Sequence, residues 1–470
     1  MSPFLWEVIV TGRTMGSVVA LLFVASFCRD VAGAVRAGAA RVDITPPVGV
    51  WLSGYAARDK PSDGVLDELY ARALVVGDGS ETVALVAVDL LWVPLYLTNQ
   101  IRDMVTSRTG IAGSNVMICA SHTHFGPRIY RQTKLGPDVE DNRVDDAYAQ
   151  VLARKIADAV YLAHKDMCEA RLGSGRTELA EVSYHRRPKN ADGSVTMAFS
   201  LPDEVVATRR IVREPDGATR VTFRYPADQP QRTFGPIDPQ VWTLRVEDAK
   251  GRLLASMVNF ACHAVSGSAD PNGFYSISGD YPGETARVVE RVEGGVCLFT
   301  SGAAGDIVPL RRGLAPRRQI GRAVAGAAVR GLQLVPMSEA ITVEARTMAV
   351  ELPLKEEPAG NRIIDADASQ RTLRTEIQLL RLGDVYLLGL PGEILVEIGL
   401  EIKRRSPVER LIVASLSNDV IGYVCHADAY DEGGYEPVDG ANLAKGAGEL
   451  LIERALKLID AMQLQATARR

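Results

Sequence analysis

The feature that most limits how this chain can fold is a set of short, unbroken apolar runs, each ending in a cluster of polar residues. Residues 83–91 (VALVAVDLL) and Val116–Ala120 (VMICA) have strand length and little alternation, the pattern of strands buried on both faces. Further strands are expected at 253–261, 296–300, 385–390 and 411–415. Helical spacing separates them: Leu97, Ile101, Met104 and Val105 with a stop at Gly110, then Tyr148, Val151, Leu152, Ile156, Ala159 and Ala163. Helices are also expected over 284–291, 320–332, 395–403 and 443–462. This alternation predicts an α/β fold, a single large catalytic domain over 35–470 with its site at the carboxyl ends of the strands. The stretch 190–237, rich in Asp, Pro and Arg, reads as an insertion with a hairpin formed by 205–212 and 219–225.

Composition narrows the function. Fifty-three basic against 58 acidic residues give a net charge of −5, without a basic stripe, which argues against a nucleic-acid binder. At the N-terminus, Arg13 precedes the 14 uncharged residues 15–28 (MGSVVALLFVASFC), and Ala32-Gly33-Ala34 follows. The run is too short to span a bilayer and matches a secretory signal peptide over 1–34, so the expected location is periplasmic or secreted. An uncleaved anchor is the competing reading, and Met15 is an alternative start. Beyond Cys28 the cysteines are Cys119, Cys168, Cys262, Cys297 and Cys425, with no C-x-x-C spacing. That predicts buried free thiols rather than a zinc ribbon or a dense disulfide framework.

The polar clusters carry the chemistry. Ser121-His122-Thr123-His124-Phe125-Gly126-Pro127 follows the Val116–Ala120 run, and two of the six histidines in the chain fall in it. In a continuing strand the two rings would diverge, whereas a turn here could bring both inward. Asn259-Phe260-Ala261-Cys262-His263 closes another apolar run. Gly305-Asp306 lacks the Lys-Ser/Thr ending of a phosphate loop and reads as a tight turn. Pro391-Gly392-Glu393 puts a carboxylate at a strand end, either as a ligand or as a helix N-terminal acid. Two histidines, a carboxylate and an open position form the inventory of a catalytic zinc site.

In this order, the blocks 39–47 (AARVDITPP), His122 to Pro127, Asn259 to His263, 277–280, Gly305-Asp306, 390–393 and 422–435 resemble the catalytic domain of neutral, non-lysosomal ceramidases. The resemblance implies one Zn²⁺ per chain, held by His122, His263, Glu393 and Tyr423. It assigns the additional catalytic histidine to His124, the substrate-contacting arginine to Arg186 and a second active-site tyrosine to Tyr435. The implied partner is a lipid or small-molecule substrate, with peripheral contact to a membrane. No pattern in the chain speaks to its oligomeric state.

Two departures from the family pattern matter. Gly305-Asp306-Ile307-Val308-Pro309-Leu310 has no hydroxyl at Val308, and no Gly-x-Ser-x-Gly elbow replaces it, so the expected nucleophile is a metal-activated water. The chain also ends soon after the helix expected over 443–462, where these ceramidases continue into a further domain. The expectation is therefore a zinc amidohydrolase acting on ceramide or a related lipid. The alternatives are the same centre acting on another small N-acyl amide or ester, and a catalytically silent exported binding protein.

Overall fold

The computed structural model describes residues 34–130, 143–267, 273–356 and 371–468, with side chains described as far as 464. The expected export segment, 1–34, lies outside them except for Ala34. An eight-stranded sheet has the spatial order Val296–Ser301, Leu253–Phe260, Gln240–Asp248, Cys168–Glu178, Arg36–Asp43, Tyr70–Gly77, Thr82–Val88, Val116–Ala120. Its two outermost pairs are parallel and every inner pair is antiparallel. A second sheet of four strands, Val343–Pro353, Thr372–Leu382, Val385–Gly389 and Leu411–Ala414, ends in a parallel pair.

Side-chain alternation explains why the apolar runs are unbroken. Val116, Ile118 and Ala120 face helices Leu95–Thr109 and Asp146–Lys165, while Met117 and Cys119 face the second sheet. With both faces dry, neither parity has a reason to be polar. Val241, Val258, Phe260 and Phe299 continue the first face against helices Asp280–Glu293 and Leu314–Gln333. On the far side of the second sheet, Ile377, Leu379 and Leu388 pack on helices Val396–Arg405 and Ala447–Ala468. The result is four layers: helices, large sheet, small sheet, helices. The α/β expectation holds, with sheets more antiparallel than simple alternation suggests.

Within 190–237, the hairpin forms as strands Arg210–Arg213 and Thr219–Thr222, but a short helix, Asp203–Val206, takes the start of the first expected strand. Cys119, Cys168, Cys262, Cys297 and Cys425 are all free, and four of them are buried. Among the described residues no helix is long and apolar enough to cross a membrane.

The carboxyl ends of the two sheets are laced together. Ala120 N–H donates to the Leu416 carbonyl, Asn418 N–H to Ile118 and Ser415 N–H to Ser301. Leu416 and Asn418 adopt left-handed φ values of 55° and 63° to make these turns. Every chemistry-bearing loop therefore emerges at one end of the sandwich.

Candidate metal centre

His122 has φ 64°, unusual for a non-glycine residue. This turn ends the strand and brings His122 and His124 to one side, their ring centroids 4.8 Å apart. His263 enters from the end of Leu253–Phe260, its centroid 4.5 Å from that of His122. Each ring is anchored through Nδ1 to a backbone carbonyl: His122 to Leu91 at 3.0 Å, His263 to Ala304 at 2.6 Å and His124 to Gly54 at 3.1 Å. A carbonyl only accepts, so each Nδ1 carries the proton and each Nε2 presents a lone pair.

Those lone pairs converge. His122 Nε2 lies 3.0 Å from His263 Nε2 and 3.4 Å from His124 Nε2. Glu393 Oε2 lies 3.2 Å from the Nε2 of both His122 and His263, and this buried oxygen accepts no hydrogen bond. Burial opposes ionisation of Glu393, and positive charge at the position of the imidazoles is what holds the carboxyl well below its usual range. Burial, reinforced by nearby charge, also lowers His263 to about 4 and puts His124 well below its ordinary value. An ionised carboxylate ringed by neutral imidazole lone pairs lacks a positive charge to face. That donor set fits a bound cation, and the three imidazoles lie close enough to share one.

Glu393 and Tyr423 are directly opposite each other in a short parallel pair, Glu393–Ile394 with Tyr423–Val424. Burial, then the Glu393 carboxylate, pushes the Tyr423 phenol well above its ordinary value. Arg186 Nη2 donates to Tyr423 Oη at 3.0 Å, and Arg186 Nε donates to Glu436 Oε1 at 2.7 Å. The neighbouring Arg187 turns away, donating to Glu436 Oε2 and to the Gly433 carbonyl. Tyr435, 37% exposed, sets its ring edge-on to Tyr423 at 5.7 Å. All seven residues singled out in the sequence thus gather at one site. A cavity of about 350 Å³ opens on it, lined by His124, Glu393, Tyr423 and Tyr435.

Sequence reasoning missed two contributors. Glu436, fully buried, holds both arginines, and its only signal was adjacency to Tyr435. Gly54 has φ +94°, and a Cβ there would lie 2.4 Å from His124 Nδ1, so only glycine lets the ring approach. Asp306 proves to be more than a turn residue. Its Oδ1 accepts from Val396 N–H at 2.9 Å, and its Oδ2 lies 3.0 Å from His185 Nε2.

Comparison with known proteins points to the same group of enzymes over part of the chain. Residues 35–191 match neutral/alkaline non-lysosomal ceramidases in their N-terminal part. Neutral ceramidase of Pseudomonas aeruginosa is 26% identical over 289 residues, 58% of this chain and 37% of that protein. Neutral ceramidase of Mycobacterium tuberculosis is 24% identical over 279 residues, 55% of this chain. The matched segment thus spans 37% of the length of either relative. A crystal structure of the Pseudomonas aeruginosa neutral ceramidase superposes with a TM-score of 0.70 at 18% identity, covering 92% of this chain and 75% of that one. A ceramidase complexed with C2 superposes at 0.69 and 17% identity, with coverages of 92% and 76%. Residues 35–191 thus resemble the N-terminal part of neutral/alkaline non-lysosomal ceramidases, and the described residues share the fold of neutral ceramidase.

Proposed function

We propose that this protein is a zinc-dependent hydrolase of N-acyl amide bonds, in ceramide or a related lipid, with zinc held by His122, His263, Glu393 and Tyr423. The observation that carries the metal is the convergence of Nδ1-anchored imidazoles on an unpartnered Glu393 oxygen. The bond type rests on the likeness to neutral ceramidases. When bound, zinc supplies an acidified water and a Lewis acid for the scissile carbonyl.

The chain supplies the rest. His124, the one of the three histidines that lines the cavity, is held neutral and offers Nε2 as the base that takes a proton during attack. The same ring returns that proton to the leaving amine. Tyr435 and the Arg186–Tyr423 pair bring O–H and N–H donors toward the developing oxyanion. Val308 is buried and carries no hydroxyl, so that position offers no nucleophile, in keeping with water as the attacking group.

A second reading, the same centre acting on a smaller acyl amide with an anionic group, is favoured by Arg58, Arg128 and Arg143 in the cavity wall. The apolar run at 15–28 alone supports export and work near a membrane. Zinc analysis of the purified chain, with a panel of ceramides, anionic N-acyl amides and acyl esters, tests these readings. One zinc per chain with ceramide turnover supports the first, and turnover confined to anionic amides supports the second. Zinc without turnover of any member points to a silent binding protein and sinks both.

A further inference from the structure

A second cluster lies on the opposite face of the strand that delivers Arg186. Strand Ser183–His185 pairs with Ile307–Pro309, so His185 points away from the candidate metal centre while Arg186 points into it. His185 Nε2 lies 3.0 Å from Asp306 Oδ2 and 3.0 Å from Glu397 Oε1, and the three side chains approach within 4.8 Å of one another. Asp306 has no solvent exposure, its Oδ2 closes no hydrogen bond, and Glu397 Oε2 closes none either.

The ring tautomer differs from those in the other centre. Arg187 N–H donates to His185 Nδ1 at 3.2 Å, so Nδ1 is the lone-pair nitrogen and the proton sits on Nε2. That single proton faces two carboxylates. Burial pulls the His185 pKa down, and Asp306 and Glu397 push it up, to about 10. An imidazolium, however, would turn an Nδ1–H against the Arg187 N–H. Ring rotation offers no relief, because Gly235 packs so tightly that a Cβ there would lie 2.6 Å from the imidazole.

We infer that Asp306 and Glu397 bind a hard divalent cation of the Ca²⁺, Mg²⁺ or Mn²⁺ class through one carboxylate oxygen each, with His185 Nε2–H supporting Glu397 from behind. Carboxylate oxygens within 4.8 Å of each other can share an ion at the usual 2.0 to 2.6 Å, approximately, for such oxygen ligands. Its remaining positions open toward a surface cavity of about 650 Å³ with Glu397 in its wall, where Glu401 and Glu449 stand beside Lys189, Arg220 and Arg405 and Glu432 is paired with Lys189. Carboxylate oxygens and water suit a hard cation better than a thiophilic one. The ion has a structural consequence for the other centre. Asp306 belongs to the turn whose Ala304 carbonyl anchors His263 Nδ1 and whose Ile307 carbonyl accepts from His263 N–H. Joining Asp306 to Glu397 at the start of helix Val396–Arg405 would stiffen that turn.

Titration of the full, zinc-reloaded chain with Mn²⁺, following free Mn²⁺ by electron paramagnetic resonance, tests the inference. Glu397→Gln should take up one Mn²⁺ fewer per chain than wild type and lose the Mn²⁺-dependent rise in Tm. Because the comparison is a difference, it holds whether or not the His122/His263/Glu393 centre is filled. Equal uptake by the two proteins overturns the inference. Should Glu397→Gln fail to fold, wild type labelled with ¹⁵N-histidine decides the matter without a substitution. Mn²⁺ should broaden the His185 ring signals and leave those of His164 sharp, and an unbroadened His185 overturns the site.

Discussion

His122 Nε2 and Glu393 Oε2 stand 3.2 Å apart, and a neutral His122, its one N–H given to the Leu91 carbonyl, leaves no proton between them. The contact is then between two acceptors, and a bound cation makes it favourable. His122→Ala and Glu393→Gln should therefore each lose stoichiometric zinc together with activity. His124→Ala should keep zinc and lower kcat by about 10²- to 10⁴-fold, the usual loss of one acid–base group. Zinc analysis of the three variants checks this. Loss of metal from His124→Ala with retention in His122→Ala reverses the roles.

Gly54 gives a way to move His124 without deleting it. Gly54→Ala adds a methyl group 2.4 Å from His124 Nδ1 at a backbone φ of +94°, so the ring must leave its anchor on the Gly54 carbonyl. Turnover should fall toward that of His124→Ala while zinc stays bound. Unchanged kcat in a folded Gly54→Ala protein would show that the anchor is dispensable.

Glu436 neutralises Arg186 and Arg187 from a fully buried position. Removing the acid strands two buried guanidinium groups, and breaking a buried pair in this way costs roughly 3–5 kcal/mol. Glu436→Ala should lower Tm by many degrees. The milder Glu436→Gln should fold and mainly reduce kcat, since Arg186 Nη2 loses the brace that aims it at Tyr423 Oη. A Glu436→Ala protein as stable as wild type would refute this account of the network.

Asp419 supplies a pH dependence. Burial raises its pKa to about 6, against hydrogen bonds from Thr375 Oγ1 and the backbone N–H groups of Val420 and Leu95. An acid whose pKa is raised in the folded state contributes its stability fully below the unfolded value near 4 and loses it as pH climbs through about 6. The expected loss between pH 4 and 7 is on the order of 3 kcal/mol. Asp419→Asn preserves the acceptor and can donate to Thr375, so its Tm should exceed that of wild type at pH 7 and match it near pH 4. Parallel Tm profiles for the two proteins would contradict this.

Residues that act within one strand or at its end could be read from the linear chain. The runs at 83–91 and Val116–Ala120 were legible because both their faces are dry, and His122, His263 and Glu393 stood out as polar residues where such runs stop. Strand Tyr70–Gly77 escaped because Arg72 interrupts it. Only the fold shows that Arg72 is buried and paired with Asp89 at 2.7 Å and with Glu290 at 3.5 Å. The strands Cys168–Glu178 and Gln240–Asp248 hid in the same way: Arg171 of the first pairs with Glu247 of the second, and Arg245 joins Glu247 to Glu293 of a helix. Side-chain type is local, so the chain alone determined which groups could bind a metal and where the sheet ends lie. Orientation is not local. The φ of 64° at His122, the carbonyls that set each tautomer, the split of Arg186 and Arg187 to different partners and the meeting of His185 with Asp306 and Glu397 depend on segments tens to hundreds of residues apart. Tertiary packing alone decided these, because a ring or a carboxylate takes its protonation and direction from whatever the fold places against it.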